Sequence, residues 1–332
     1  MKKILFIFVS LVVTAMCYAQ STMMATLSHE GKIQVYYGAY ALKEAHTAAA
    51  GGDVITLSTG TFVSTDITKP ITLRGAGAAL DTITGKENTI LTGDFNVKVK
   101  NTDKARLTFE GFYHTGQISI KDTLENATFL KCKFSEINGS NTKVYDLKMI
   151  QCIVSKKLVF TNNSTLVFIN SVLPGATGGN SSYSPIYSCQ NCIITDDVHY
   201  LKNSEFRNCI FSRTTQSATN TLSSTCVAYN CISFNSYTFK NSLNKTNQRI
   251  QGGYSAIFKS YNGTYVEEEM YELTDSAKAV YKGADGREVG LYGGNLSFDM
   301  IPTNPRIVKC DVAGKTTSDG KLSVDIEVRS AQ

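Results

Sequence analysis

Asp196 and Asp197 stand side by side, and His199, Tyr200, Lys202, Glu205, Arg207 and Arg213 follow closely. Two neighbouring carboxylates can divide acid and base roles in glycoside hydrolysis, provided they sit on adjacent turns beside the bond to be cleaved. Arg213, 16 or 17 residues further on, could stack against them if the chain returned once per turn. Asp196, Asp197 and Arg213 are therefore the candidate catalytic set. Lys202, Arg207, His199 and Tyr200 are the candidate binding residues, supplying hydrogen-bond donors and a ring. The same stretch also fits a polar loop after a buried strand, with its charges in water.

Two further clusters carry acid groups. Asp94, Glu110 and His114 lie on one earlier stretch, and Glu267, Glu268 and Glu269 form an acidic run between Tyr265 and Tyr271. Both are expected to face solvent. The only histidines are His29, His46, His114 and His199, and no two have the spacing of metal ligands on one helix face. There is no tryptophan. The 17 tyrosines include Tyr254, Tyr261, Tyr265, Tyr271, Tyr281 and Tyr292 late in the chain. A tyrosine places an apolar ring and a polar tip at a wet interface, and such rings equally suit the packing of long loops.

The elements that must position these residues form a ladder. A short unit recurs: an apolar residue, two positions, a small residue, one position, an apolar residue. It appears at Phe129-Cys132-Phe134, Met149-Cys152-Val154, Phe168-Ser171-Leu173, Cys189-Cys192-Ile194, Phe206-Cys209-Phe211 and Ala228-Cys231-Ser233, with a looser copy at Phe109-Gly111-Tyr113. A spacing near 20 residues fits one turn of a β-solenoid and is too short for the helical repeats. Asn170, Asn191, Asn208 and Asn230 each precede the small residue. Asparagine tolerates the left-handed backbone of a sharp turn, and stacked asparagines can hydrogen-bond along a column.

Nine cysteines occur, one of them at position 17. An even remainder in an exported chain invites disulfides, and Cys189-Gln-Asn-Cys192 invites a redox or metal site. Against both stands the register, because Cys132, Cys152, Cys192, Cys209 and Cys231 share one position with Gly111 and Ser171. A buried cysteine behaves as a small hydrophobe. An interior thiol column is the expectation, with a disulfide and a metal site as alternatives.

Lys2 and Lys3, the apolar run Ile4 to Val13, and Cys17-Tyr18-Ala19 have the layout of a secretory signal peptide cleaved after Ala19. The run is too short for a membrane span, so a secreted bacterial protein without one is expected. Formal charge is +5, or +3 without Lys2 and Lys3, too mild to suggest nucleic acid.

Gly51-Gly-Asp-Val-Ile-Thr-Leu-Ser-Thr-Gly-Thr-Phe62, followed by Ile67-Thr-Lys-Pro-Ile-Thr-Leu-Arg-Gly-Ala-Gly77, resembles the opening turns of the pectin-lyase-like superfamily. Ala284 to Gly294 and Ile301 to Ile307 are similar to the closing segment of its secreted bacterial members. The resemblance spans Gly31 to Ile307 and implies an all-β fold, a single-stranded right-handed parallel β-helix. The Ala-rich Ala39 to Ala49 would be a helix covering its N-terminal end. Residues 20–307 would form the solenoid, and 308–332 a pair of strands, joined near Ser318-Asp-Gly320, that cap it or dock on a partner. One fold hosts many activities. The resemblance implies a surface or secreted protein that contacts a polysaccharide or cell-surface glycan, or that is adhesive or structural. The alternative is a polysaccharide lyase or glycoside hydrolase working in a groove on the outer wall. No cofactor is expected, unless the chain is a lyase, which would hold Ca²⁺ on several oxygen ligands. No lyase or galacturonase signature accompanies Asp196 and Asp197.

Overall fold

The computed structural model describes residues 23–79, 88–102, 105–160, 164–177, 184–199, 201–242, 246–263, 271–296, 298–303, 306–312 and 319–329. Residues 1–19, where a signal peptide is expected, lie outside them. The chain is a parallel β-solenoid of about eight turns. A first wall stacks Val54–Leu57, Thr72–Arg74, Thr108–Glu110, Thr128–Leu130, Leu147–Ile150, Thr165–Ile169, Ile186–Gln190, Glu205–Arg207 and Val227–Tyr229. A second wall runs from Gly60–Val63 to Gln248–Arg249. Short pairs, Leu124–Glu125 with Val144–Tyr145 and Ala176–Thr177 with Val198–His199, form a third side.

Successive turns stack like on like because the side-chain period of a strand is two, and a slip of one residue would turn the apolar set to water. Leu73, Phe109, Phe129, Met149, Phe168, Cys189, Phe206 and Ala228 are in register along the inside of the first wall. The rings of Phe109 and Phe129 stack with centroids 4.8 Å apart.

The corner between the two walls explains the repeat. Gly111, Lys131, Gln151, Asn170, Asn191, Asn208 and Asn230 all have positive φ, between 45° and 65°. Each of the first six donates its backbone N–H to a carbonyl of the next turn, as Asn191 does to Arg207 at 2.9 Å. Gly111 therefore stands with Lys131 and the asparagines, and Phe112 takes the place of Cys132. The motif had aligned Gly111 with the cysteines. The pairings of Glu110 with Leu130 and of Tyr113 with Lys133 shift it by one residue, because the glycine serves the left-handed turn rather than the tight interior. Just inside the corner lie Cys132, Cys152, Ser171, Cys192, Cys209 and Cys231, all free and buried apart from the serine, which is also buried. Ser171 Oγ accepts from Cys152 N at 3.1 Å, the position in which Cys231 Sγ faces Cys209 N at 3.4 Å. Burial pushes the Cys152 thiol up to about 12. These are sealed interior thiols, not staples.

At the N-terminal end a hairpin, Met24–His29 with Lys32–Tyr37, pairs antiparallel onto Val54–Leu57. Helix Ala41–Ala48 buries Ala41, Leu42, Ala45 and His46 against that end, as the Ala-rich segment suggests. Its open C-terminal carbonyls are satisfied by Lys69, whose Nζ donates to His46, Thr47 and Ala49.

The chain after the last turn returns along the outside. Ile153, Val172, Ile193, Ile210 and Ile232 form one outward column of the second wall, yet each is at most 2% exposed. Ile257, Phe258, Tyr271, Leu273, Val289 and Leu291 lie over them and make a second core. The returning strap then tracks the left-handed corner. Gly283 lies against Asn208. Leu291 and Gly293 carbonyls accept from Asn170 Nδ2 at 2.7 and 2.9 Å. Ile301 O accepts from Lys131 Nζ at 2.7 Å, and Thr303 N donates to Glu110 Oε1 at 3.2 Å. Instead of hydrogen-bonding along their own column, Asn170 and Asn191 give their amide protons to the strap. The tail forms an antiparallel pair, Arg306–Val312 with Val324–Arg329.

Candidate functional site

The turn after the second wall brings three of the singled-out residues together. Ile194 pairs with Phe211, so Asp196 and Arg213 are two residues beyond a matched pair and fall one turn apart. Arg213 Nη1 bonds Asp196 Oδ1 and lies 3.0 Å from Asp197 Oδ2. Gly175 makes room one turn earlier, since a Cβ there would lie 3.0 Å from the Asp197 carbonyl oxygen and 3.3 Å from Asp196 Cβ. Both carboxylates share one guanidinium. A hydrolase turns one carboxyl toward the leaving oxygen as acid, whereas here both turn toward the one guanidinium. Asp197 Oδ1 and Arg213 Nε are buried without a hydrogen-bond partner.

Asp196 also borders a groove of about 550 Å³ on the second wall. Its floor carries Tyr113, Lys133, Ser155 and Lys156, and its far side Tyr261 and Tyr271. The strands are irregular here. Phe134 pairs with Val154, and Glu136 with Lys157, so Ser155 and Lys156 together oppose the single Ser135. The strand Tyr113–Ile120 bulges likewise. Such bulges re-aim side chains, and this one puts the exposed Lys156 at the groove. Lys133 Nζ sits 5.1 Å from the Tyr113 ring centroid. Tyr261 packs between Tyr254 and Phe258, at 5.0 and 5.3 Å, so the groove's far side is a rigid aromatic stack. Tyr261 and Tyr271, 4% and 0% exposed, close the groove as packed wall, so the ring a ligand can reach is the half-buried Tyr113, with ammonium groups beside it for anionic or hydroxyl groups.

Of the other expected binding residues, Arg207 and Lys202 do not line this groove. Arg207 lies on the first wall, bonded to Glu205 and stacked 4.8 Å from the Tyr229 ring centroid. Lys202 is exposed in the turn entering that wall. Tyr200 and the side chain of His199 lie outside the described residues, as do Tyr265 and Glu267 to Glu269.

Of the earlier acid cluster Asp94 is exposed as expected, whereas Glu110 and His114 are not. Glu110 is 2% exposed, held by Arg74 Nε at 2.9 Å and by the Thr303 hydroxyl. His114 occupies the inner column of the second wall beside Phe95, and its Nε2–H donates to Gly93 O at 2.8 Å. Asp94 accepts from Gln117 N at 2.7 Å. These residues point in different directions, two of them into packed structure. Among the described residues no group of three or more His, Cys, Asp or Glu side chains could hold a metal ion.

Lys133, Lys156, Tyr113 and Tyr261 were not singled out from the sequence as a site. The signal that could have found them is Lys133 in a position that carries isoleucine or valine in the next five turns. Compared with known proteins, the chain matches no family model, no curated protein and no solved structure.

Proposed function

We propose that this protein is a glycan-binding solenoid of the pectin-lyase-like kind, exported from a bacterium, which holds an acidic polysaccharide in the second-wall groove without cleaving it. The observation that carries this is the pairing of Lys133 and Lys156 with the half-buried Tyr113 ring in one groove, next to carboxylates both tied to Arg213. Cationic groups give affinity for uronate or sulfate groups, and the Tyr113 ring gives a surface for a sugar face. Affinity electrophoresis of the purified protein in gels containing polygalacturonate, alginate or neutral galactan tests it. Retardation by an acidic polymer, weakened at least tenfold in a Lys133→Ala/Lys156→Ala variant and by added salt, is the expected result. Equal migration in every gel would defeat the proposal.

A second reading, a lyase or hydrolase using Asp196, Asp197 and Arg213, has one observation in its favour: residues 17 positions apart converge on the groove's edge. It requires shortened oligosaccharides from the wild-type protein and none from Asp197→Ala.

A further inference from the structure

Large apolar side chains are exposed in two strands near opposite ends of the chain. Strand Lys32–Tyr37 is the outermost strand of the first wall, with pairing on one side only. On one face it exposes Ile33 at 72%, Val35 at 40% and Tyr37 at 63%. Among the described residues, strand Val324–Arg329 pairs only with Arg306–Val312. It exposes Val324, Ile326 and Val328, with Leu322 just before them, Ile326 at 52%. Edges of this kind, apolar and unprotected, are templates for strand addition. The charges differ in sign. Residues 32–37 include Lys32 and no acid, whereas 324–329 include Asp325 and Glu327 against the single base Arg329.

We propose that strand Val324–Arg329 of one molecule adds antiparallel to strand Lys32–Tyr37 of a second copy. Register follows from the side chains. Setting Ile33 opposite Ile326 sets Val35 opposite Val324 and Tyr37 opposite Leu322, which covers three apolar pairs on one face. On the other face Lys32 then stands opposite Glu327. A slip of two residues that brings Val324 to Ile33 leaves Tyr37 opposite Gly320 and loses one pair, and the opposite slip that brings Val328 to Ile33 keeps three apolar pairs but sets Lys32 opposite Arg329. A slip of one residue puts apolar side chains opposite polar ones throughout. Such contacts join different surfaces of the two copies, so they either close in a reciprocal pair or continue head to tail.

The test uses two single variants, Ile33→Cys and Ile326→Cys, each in a Cys17→Ser/Cys310→Ser background and carrying tags of different mass. The seven thiols inside the solenoid are buried and do not compete. Directly opposed residues bring Cβ atoms within reach of a disulfide. Mixing the two variants under mild oxidation should give a covalent pair containing one of each tag, with little from either variant alone. Val35→Lys on the first variant should reduce that yield at least tenfold. Light scattering of the wild-type protein should show a mass that rises with concentration. Covalent pairs from Ile33→Cys alone would mean that two edge strands meet each other. Closure within one chain carrying both cysteines would mean that the tail folds back on its own wall. Either result overturns the proposal, as does a mass of one chain at every concentration.

Discussion

The two halves of the second wall continue one outward column and meet opposite fates. From Ile153 to Ile232 its outward column is aliphatic and lies under the returning chain. In the two turns before, the same column carries Tyr113 and Lys133, which are half-buried and line the groove. The solenoid itself does not distinguish them, since inside both halves aromatic and aliphatic residues stack in register. What differs is one residue per turn. Where that residue is aliphatic, covering it contributes roughly 1.5–3 kcal/mol per side chain. Where it is lysine, covering would take a charge out of water, and there the cover ends at the side of a groove.

The comparison breaks most sharply if the outward column is altered under the cover. Ile193→Asp should destabilise the protein by roughly 3–5 kcal/mol, because it buries an unpaired charge and empties a packed site. Lys133→Ile on the open half should change stability by less than about 0.5 kcal/mol. Denaturant melts of both variants check this, and similar losses would mean that the halves do not differ as described. The corner offers a second contrast. Asn170→Ala puts alanine in a left-handed conformation and removes two bonds to the strap, for a loss of about 2–3 kcal/mol. Asn230→Ala keeps the same backbone demand without those strap bonds and should lose about 1–2 kcal/mol.

Acid should act on the open half first. Burial holds His46 down at about 4 and also lowers His114. His46 Nε2 accepts from Thr68 N, which requires the neutral ring. As pH falls below the ordinary histidine value of 6.5, the unfolded chain takes these protons before the folded one does. Stability therefore declines from pH 6.5 toward pH 4 and is unaffected by these groups above pH 6.5. Hydrogen exchange at pH 5 should lose protection in the early turns before the turns under the cover, and His46→Gln should soften that loss. The smallest effect is expected at Ser171→Cys, which continues the thiol column and should alter stability by less than about 1 kcal/mol, read from the same melts.

Much of this was legible beforehand. The spacing of Cys132, Cys152, Ser171, Cys192, Cys209 and Cys231 revealed the solenoid, because the narrow interior repeats its steric demand every turn. The 17-residue turn placed Asp196 beside Arg213. The returning cover was harder to see, since contacts between residues such as Asn170 and Leu291 leave no periodic trace. Yet its footprint was present in consecutive apolar pairs, Ile153-Val154, Val172-Leu173, Ile193-Ile194 and Ile210-Phe211. A strand with both faces apolar must be buried on both. The interruption of that pattern at Lys133 marked the groove. Arg207 was drawn into the expected site by nearness in sequence, but a sharp corner at Asn208 puts it on a different wall.

The most direct test is native mass spectrometry of the purified protein with an acidic oligosaccharide, such as a hexamer of galacturonate, because one spectrum reports both binding and cleavage. Expected is a complex carrying the intact hexamer, lost at high salt and in Lys133→Ala/Lys156→Ala. Free protein alone, or a spectrum of shortened sugars, would contradict a groove that holds an acidic glycan without cutting it.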